Sequence, residues 1–260
     1  MAAGTGEAVV ITGASSGLGA ALARGYAAPG VVLGLIGRDA GRLAAVAGEC
    51  RAAGAVVEEA VLDVAEGAPL ESWLVAFDAA HPVDLVIANA GISAGPAPGV
   101  AGEAAVMTAR QVAVNLMGAV NTVAPLLPAM AARGCGRVAL IASLAAYRGL
   151  AYSPGYCASK AGLRAYGEAL RALTAPHGVR VTVVCPGFFS SRMTDRWEGA
   201  TPLLMDCERA ARKVRRGIER GRRRVDFPWT LAAGMRLCDA LPAIIGDRIV
   251  RGFRFRIRSA

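Results

Sequence analysis

The feature that most constrains this chain is an alternation. Short aliphatic runs at Ala8–Thr12, Val31–Ile36, Val56–Leu62, Val83–Ala88, Arg137–Ala142 and Val179–Cys185 are separated by longer stretches. Those stretches carry apolar residues at helical spacing, notably at Gly17–Ala28, Ala40–Ala53, Ala104–Arg133 and Pro154–Thr174. Nearly continuous apolar strands separated by helices predict a mostly parallel sheet buried on both faces, a doubly wound α/β fold. No linker divides the 260 residues, so one domain is expected over 1–260, with Gly91–Gly102 as its loosest loop. The region 190–260 is the variable part. Thr201–Arg220 predicts a helix, Arg222–Phe227 an edge strand closed by Pro228, and Trp229–Leu241 and Ile244–Phe255 amphipathic helices.

Composition removes several function classes. The N-terminus lacks the basic start and apolar run of a secretory signal, and no stretch of 18 uninterrupted apolar residues argues for a membrane-spanning helix. The six cysteines form no Cys-x-x-Cys pair, and two histidines offer little for a metal site, so no metal and a reduced cytoplasmic protein are expected. The net charge of +9 has no interleaved aromatic residues, which argues against nucleic acid and for an anionic cofactor or surface.

After the first run comes Thr12-Gly13-Ala14-Ser15-Ser16-Gly17-Leu18-Gly19, opening the first helix. Glycines permit a tight turn and close approach to a pyrophosphate, and the helix N-terminus offers free N–H groups to the same anion. Gly13, Ser15, Ser16, Gly17, Leu18 and Gly19 are therefore candidate dinucleotide ligands. The second run ends in Gly37-Arg38-Asp39. An NAD site usually places a carboxylate there; Arg38 instead suits a 2′-phosphate, predicting NADP(H) with NAD(H) still open, unless Arg38 is a solvated turn residue. Asp39 is expected to cap the next helix. Asp63, followed by Val64, reaches the adenine edge or is a turn acid.

Ser143 ends the fifth run, and Tyr156 and Lys160 follow, four residues apart and on one helical face. A phenol is a poor base at neutral pH; an ammonium beside it favours the phenolate and lowers its pKa. The pair then exchanges a proton with an alcohol or ketone, and Ser143 holds the same oxygen. Lys160 is one of only two lysines in a chain with 27 arginines.

These residues resemble the short-chain dehydrogenase/reductase family over roughly residues 7–195. The resemblance implies a Rossmann-like fold and an NADP(H)-dependent oxidoreductase that interconverts a secondary alcohol and a ketone. It makes Ser143, Tyr156 and Lys160 catalytic, and Asn115 the support of a proton relay through water and the lysine. It adds Asn89, Ala90 and Gly91 after the fourth strand, and Pro186, Gly187, Phe189 and Ser191 around the nicotinamide, with the Phe189 backbone meeting the carboxamide. By residue type alone, Asn89 bridges two strands or Asn115 bonds only to backbone. Leu144–Ser153 and 190–210 are expected to line an apolar pocket, with Tyr147, Leu150, Tyr152, Met193 and Trp197. The resemblance further implies a homodimer through the two long helices. One departure stands out: many members end with a strand and glycine-rich tail, whereas nine of sixteen residues in 209–224 are basic here and an amphipathic tail follows. That leaves the tetramer open. The basic stretch reads as a solvated face, or as contact with an acidic substrate, partner or membrane. Two other functions stay open: a non-catalytic NADPH-binding regulator or scaffold, and a membrane-surface reductase of lipid or sterol-like substrates.

Overall fold

The computed structural model describes residues 6–96, 100, 102–253 and 255–257; positions 97–99 and 101 of the expected loop lie outside them. Strands β1 (Ala8–Thr12), β2 (Val32–Gly37), β3 (Val56–Val61), β4 (Leu85–Ala88), β5 (Gly136–Ile141), β6 (Val179–Pro186) and β8 (Arg224–Phe227) form one parallel sheet in the order β3-β2-β1-β4-β5-β6-β8. It is a Rossmann-like α/β fold. The period-two pattern of the strands explains its two cores. Val9 and Ile11 of β1 join Leu33, Leu35, Leu85 and Ile87 beneath α1 (Gly17–Tyr26), α2 (Ala40–Ala52) and α8 (Cys207–Glu219). Val10 joins Val86, Val138 and Val183 on the other face, beneath α3 (Gly67–Ala80), the helical stretch Ala105–Arg133 and α7 (Pro154–Thr174). Each fully buried Leu or Ile contributes about 1.5–3 kcal/mol, and a one-residue register slip would send each strand's side chains into the opposite core, where their shapes do not match.

Ala105–Arg133 is long and apolar enough on average to cross a membrane. Here it is a core helix: it packs on α3, α7 and β4 and buries Gln111, Asn115 and Thr122. It contains α4 (Ala105–Val112), a π-helical turn at Ala113–Met117, α5 (Gly118–Val123) and α6 (Leu127–Arg133).

The tail corrects two expectations and bears out a third. The helix expected over Thr201–Arg220 begins only at Cys207, where the Asp206 side chain caps it by accepting from Arg209 N; upstream, Leu204 N donates to Thr201 O in a turn with Leu203 at φ +57°, and Met205 N donates to Phe188 O. The edge strand expected at Arg222–Phe227 is present as β8, which begins at the last residue of the basic stretch and closes the sheet beside β6. Ile244–Phe255 is not all helix: α10 spans Ala243–Arg251, and Phe255–Ile257 is strand β9, antiparallel to β7 (Trp197–Gly199). Helix α9 (Trp229–Ala240) precedes α10. In α8, Ala210, Val214 and Ile218 are buried, and Arg209, Arg212, Lys213, Arg216 and Arg220 face solvent.

Candidate active site

The strand order reverses between β1 and β4, and ligands of open α/β sheets bind outside the strand C-termini at such a point. Thr12 and Asn89 lock that point. Thr12 Oγ1 accepts from the N–H groups of Asn89 (3.1 Å) and Ala90 (3.3 Å), and Asn89 Nδ2 donates to Thr12 O (2.9 Å). Asn89 thus bridges two strands, and it also shapes the glycine turn. Gly13 has φ +68°, and a Cβ there would lie 2.9 Å from Asn89 Nδ2 and from Ala90 Cα. A Cβ on Gly19 would run into Gly13 O at 2.2 Å. Ser16 stands at the N-cap of α1 without a side-chain cap bond, and the first turn holds no acidic residue. The positive end of the helix therefore meets a backbone cradle with no competing carboxylate, a fit for a pyrophosphate.

The other expected elements converge on this turn. A Cβ on Gly37, at the end of β2, would come 3.2 Å from Ser15 Oγ. A Cβ on Gly17 would lie 3.5 Å from Ser191 Cβ, and one on Gly187 3.3 Å from Leu144 Cδ1. The segment Pro186–Ser191 therefore spans from the serine loop to the glycine turn. Within it, Phe189 O accepts from Thr194 Oγ1 (2.6 Å), and Ser191 Oγ accepts from Thr194 N (3.2 Å).

At the far end of β2, Asp39 caps α2 by accepting from Arg42 N (2.9 Å) and pairs with the Arg42 guanidinium. Arg38 is half-exposed and lies 3.5 Å from Asp63 Oδ2. Arg110, on α4, shares that oxygen at 3.2 Å. Asp63 also holds its own turn, accepting from Ala65 N, and Val64 packs against Gly118. This corner offers two guanidiniums and one carboxylate. Arg110 escapes sequence reading because only the fold brings α4 beside β2 and β3.

Ser143 caps a 3-10 turn at Leu144–Ala146, its Oγ accepting from Ala145 N (3.1 Å). Burial pushes the Tyr156 phenol up to about 12, opposed by a hydrogen bond with the Ser143 side chain. Burial also brings the Lys160 ammonium down to about 8. Lys160 Nζ donates to Ile141 O (2.8 Å) and lies 5.9 Å from the Tyr156 ring centroid. The sequence points to an ammonium that lowers the phenol; in the chain alone, burial is the larger influence and holds the phenol above its ordinary value. Gly91 keeps the adjoining space open, since a Cβ there would lie 3.4 Å from Lys160 Nζ and 3.2 Å from Asn115 Oδ1.

Asn115 is fully buried in the π-helical turn. Its Oδ1 accepts from Ile92 N (2.7 Å), and its Nδ2 donates to Ile92 O and to Ser159 Oγ (both 2.9 Å). Ser159 Oγ in turn donates to Tyr156 O (2.8 Å). Asn115 therefore reaches the tyrosine through Ser159, a residue the sequence reading passed over although it adjoins Lys160.

Tyr147 borders, with Leu150, the groove beside the serine loop. Its hydroxyl donates to Asp226 (3.0 Å), accepts from Arg236 (3.1 Å) and is buried, so it ties the serine loop to β8 and α9. The aromatic wall is built elsewhere: Trp197 stacks on Phe255 at 3.8 Å, with Tyr152 and Phe188 edge-on to that pair. Strand β9 contributes Phe255, which no local sequence signal assigns to this place.

The sequence profile of the family described as short chain dehydrogenase matches residues 7–201. The chain belongs to this family. An uncharacterized oxidoreductase of Myxococcus xanthus is 38% identical over 249 residues, covering 94% of this chain and 96% of that protein. The ketoacyl reductase HetN of Nostoc sp. is 36% identical over 191 residues, 72% of this chain and 64% of that one. A variant of actinorhodin polyketide ketoreductase solved with NADPH superposes with a TM-score of 0.77 at 28% identity, covering 89% of this chain and 99% of that chain. A metagenomic short-chain oxidoreductase in complex with NADP gives a TM-score of 0.66 at 33% identity, covering 70% and 83%. This short chain dehydrogenase is an oxidoreductase acting on CH–OH or C=O groups of small molecules with a nicotinamide cofactor.

Proposed function

We propose that this short chain dehydrogenase is an NADPH-dependent reductase of apolar ketones, working as a homodimer in the reducing cytoplasm. The observation that carries this reading is the meeting of the Tyr156 phenol with the Ser143 side chain, to which it is hydrogen-bonded, one helical turn before Lys160. When bound, the dinucleotide supplies the hydride in reduction or takes it in oxidation. Ser143 Oγ holds the carbonyl oxygen, and Tyr156 gives it the proton. Lys160, charged below about pH 8, steadies the phenolate left behind and holds the nicotinamide ribose. Asn115 and Ser159 fix the helix turn that presents Tyr156.

The cofactor-binding residues are the cradle Gly13, Ser15, Ser16, Gly17, Leu18 and Gly19, the Asn89-Ala90-Gly91 corner, Asp63 and Val64, and the span Pro186, Gly187, Phe189 and Ser191. Asp39 is spent on its helix cap, so no carboxylate at the end of β2 is left for ribose hydroxyls, while Arg38 and Arg110 favour a 2′-phosphate. The Trp197–Phe255 wall favours an apolar substrate. Pairing through Ala105–Arg133 and α7 would cover Val106, Met107 and Leu173, all exposed in the single chain. A screen of ketones following NADPH absorbance tests the reading. Turnover confined to NADH, or none on any ketone while alcohols are oxidised, would overturn it.

A further inference from the structure

The C-terminal helical hairpin carries a surface with no role in the cleft. In α10, Gly246 and Val250 face inward, and the Cys238 Sγ of α9 donates to Gly246 O, fixing the two helices together. At 3.6 residues per turn, this leaves Ile244, Ile245, Arg248 and Ile249 on the outer side, with exposed Arg251 at its edge beside the groove. Ile244 is 82% exposed, Ile249 43% and Trp229 at the start of α9 75%. Leu237 and Phe253 stand out as well. A groove of about 510 Å³ along the inner edge of α10, lined by Leu150, Pro154, Val250 and Arg251 among others, extends this apolar surface toward the serine loop.

Residues 229–260 hold six arginines against two aspartates, and one of those, Asp247, pairs with Arg148. Arg236 and Arg256 are engaged by Asp226 and Glu198, so among the described residues the cations of this surface are the exposed Arg248 and Arg251. Projecting isoleucines and a tryptophan beside them suit one environment: the headgroup boundary of an anionic bilayer, which takes the apolar side chains and attracts the cations. A second copy of the chain fits less well, since an isologous contact would set the same cations against each other. A soluble polyanion would leave the isoleucines in water.

The geometry points to α9–α10 as a docking surface for an anionic lipid membrane. It holds whatever the cleft does. It also names the source of an apolar substrate, because α10 runs through Gly252 and Phe253 toward β9, whose Phe255 stacks on Trp197 of the cleft wall.

Co-sedimentation of the full chain with phosphatidylglycerol-containing vesicles tests this, with phosphatidylcholine vesicles as the neutral arm. Binding should be strong on the anionic vesicles at low salt and weak on the neutral ones. It should fall at high salt, since exposed charges are screened over about 8 Å at physiological ionic strength. The double variant Ile244→Ser/Ile249→Ser should bind at least about tenfold more weakly, with unchanged melting temperature and NADPH affinity, since both residues are exposed. The control Arg216→Glu/Arg220→Glu on α8 should still bind. No sedimentation of the unaltered chain with anionic vesicles at low salt would overturn the proposal. So would full binding by the isoleucine variant, or loss confined to the α8 variant. A chain that binds vesicles and reduces no ketone would sink the enzymatic reading and leave this one standing.

Discussion

Replacing Lys160 by Met should make the apo protein more stable and inactive. The ammonium is 4% exposed, and burial holds its pKa at about 8 against an ordinary 10.5. At neutral pH the fold therefore carries a charge it would rather shed, at a cost of about 3 kcal/mol. Methionine removes the charge and keeps most of the volume. It leaves Ile141 O without its donor, which takes back about 1–2 kcal/mol. The net gain is about 1–2 kcal/mol, or about 2–8 °C in melting temperature for a chain of this size. The pH dependence separates this cause from others. The folded pKa lies below the unfolded one, so between about pH 8 and 10.5 the unfolded chain binds more protons. The lysine's contribution to stability rises with pH across that window. Differential scanning calorimetry of both proteins from pH 7 to 10 should show the lysine protein gaining on the Met variant as pH rises. A variant that melts lower at pH 7, or a gap that does not change with pH, would refute the reasoning.

Tyr156→Phe should lower ketone turnover by about 10²–10⁴-fold, the usual contribution of a positioned acid, and leave the NADPH Kd nearly unchanged in a fluorescence titration. Arg38→Asp should weaken NADPH binding far more than NADH binding; equal losses would remove Arg38 from the 2′-phosphate. Multi-angle light scattering at micromolar concentration should give twice the chain mass, and a monomer mass would count against pairing through the two long helices.

Most of the sheet and of the reacting set is legible in the sequence because both depend on local patterns. The apolar runs name six of the seven strands of the main sheet to within about two residues, since strands buried on both faces leave little compositional ambiguity. Tyr156 and Lys160 share a helix, so their spacing alone places them together. What escapes is set by distant contacts. Nothing near Tyr147 in the chain announces that Asp226 and Arg236 will capture its hydroxyl. Strand β9 is three residues long and follows a helix without a break in amphipathic pattern, so only its partner β7 defines it. Helix α3, with Leu70, Leu74 and Phe77 buried at helical spacing, has its stripe interrupted by Pro69 and polar neighbours. The direction of the Tyr156 shift also lay beyond the sequence, because spacing reveals a neighbouring charge but not the depth of burial.

The span from Gly187 to Met205 has a kinetic consequence. Its first residues rest on the serine loop and the glycine turn, Thr194 ties its middle to Phe189 and Ser191, and its later part carries Trp197 into the pairing with β9. Whatever settles on the glycine turn presses on Ser191 and so shapes the wall that an incoming ketone meets. Initial-rate and product-inhibition patterns are therefore expected to show compulsory order, with the dinucleotide first to enter and last to leave; a random-order pattern would count against this coupling.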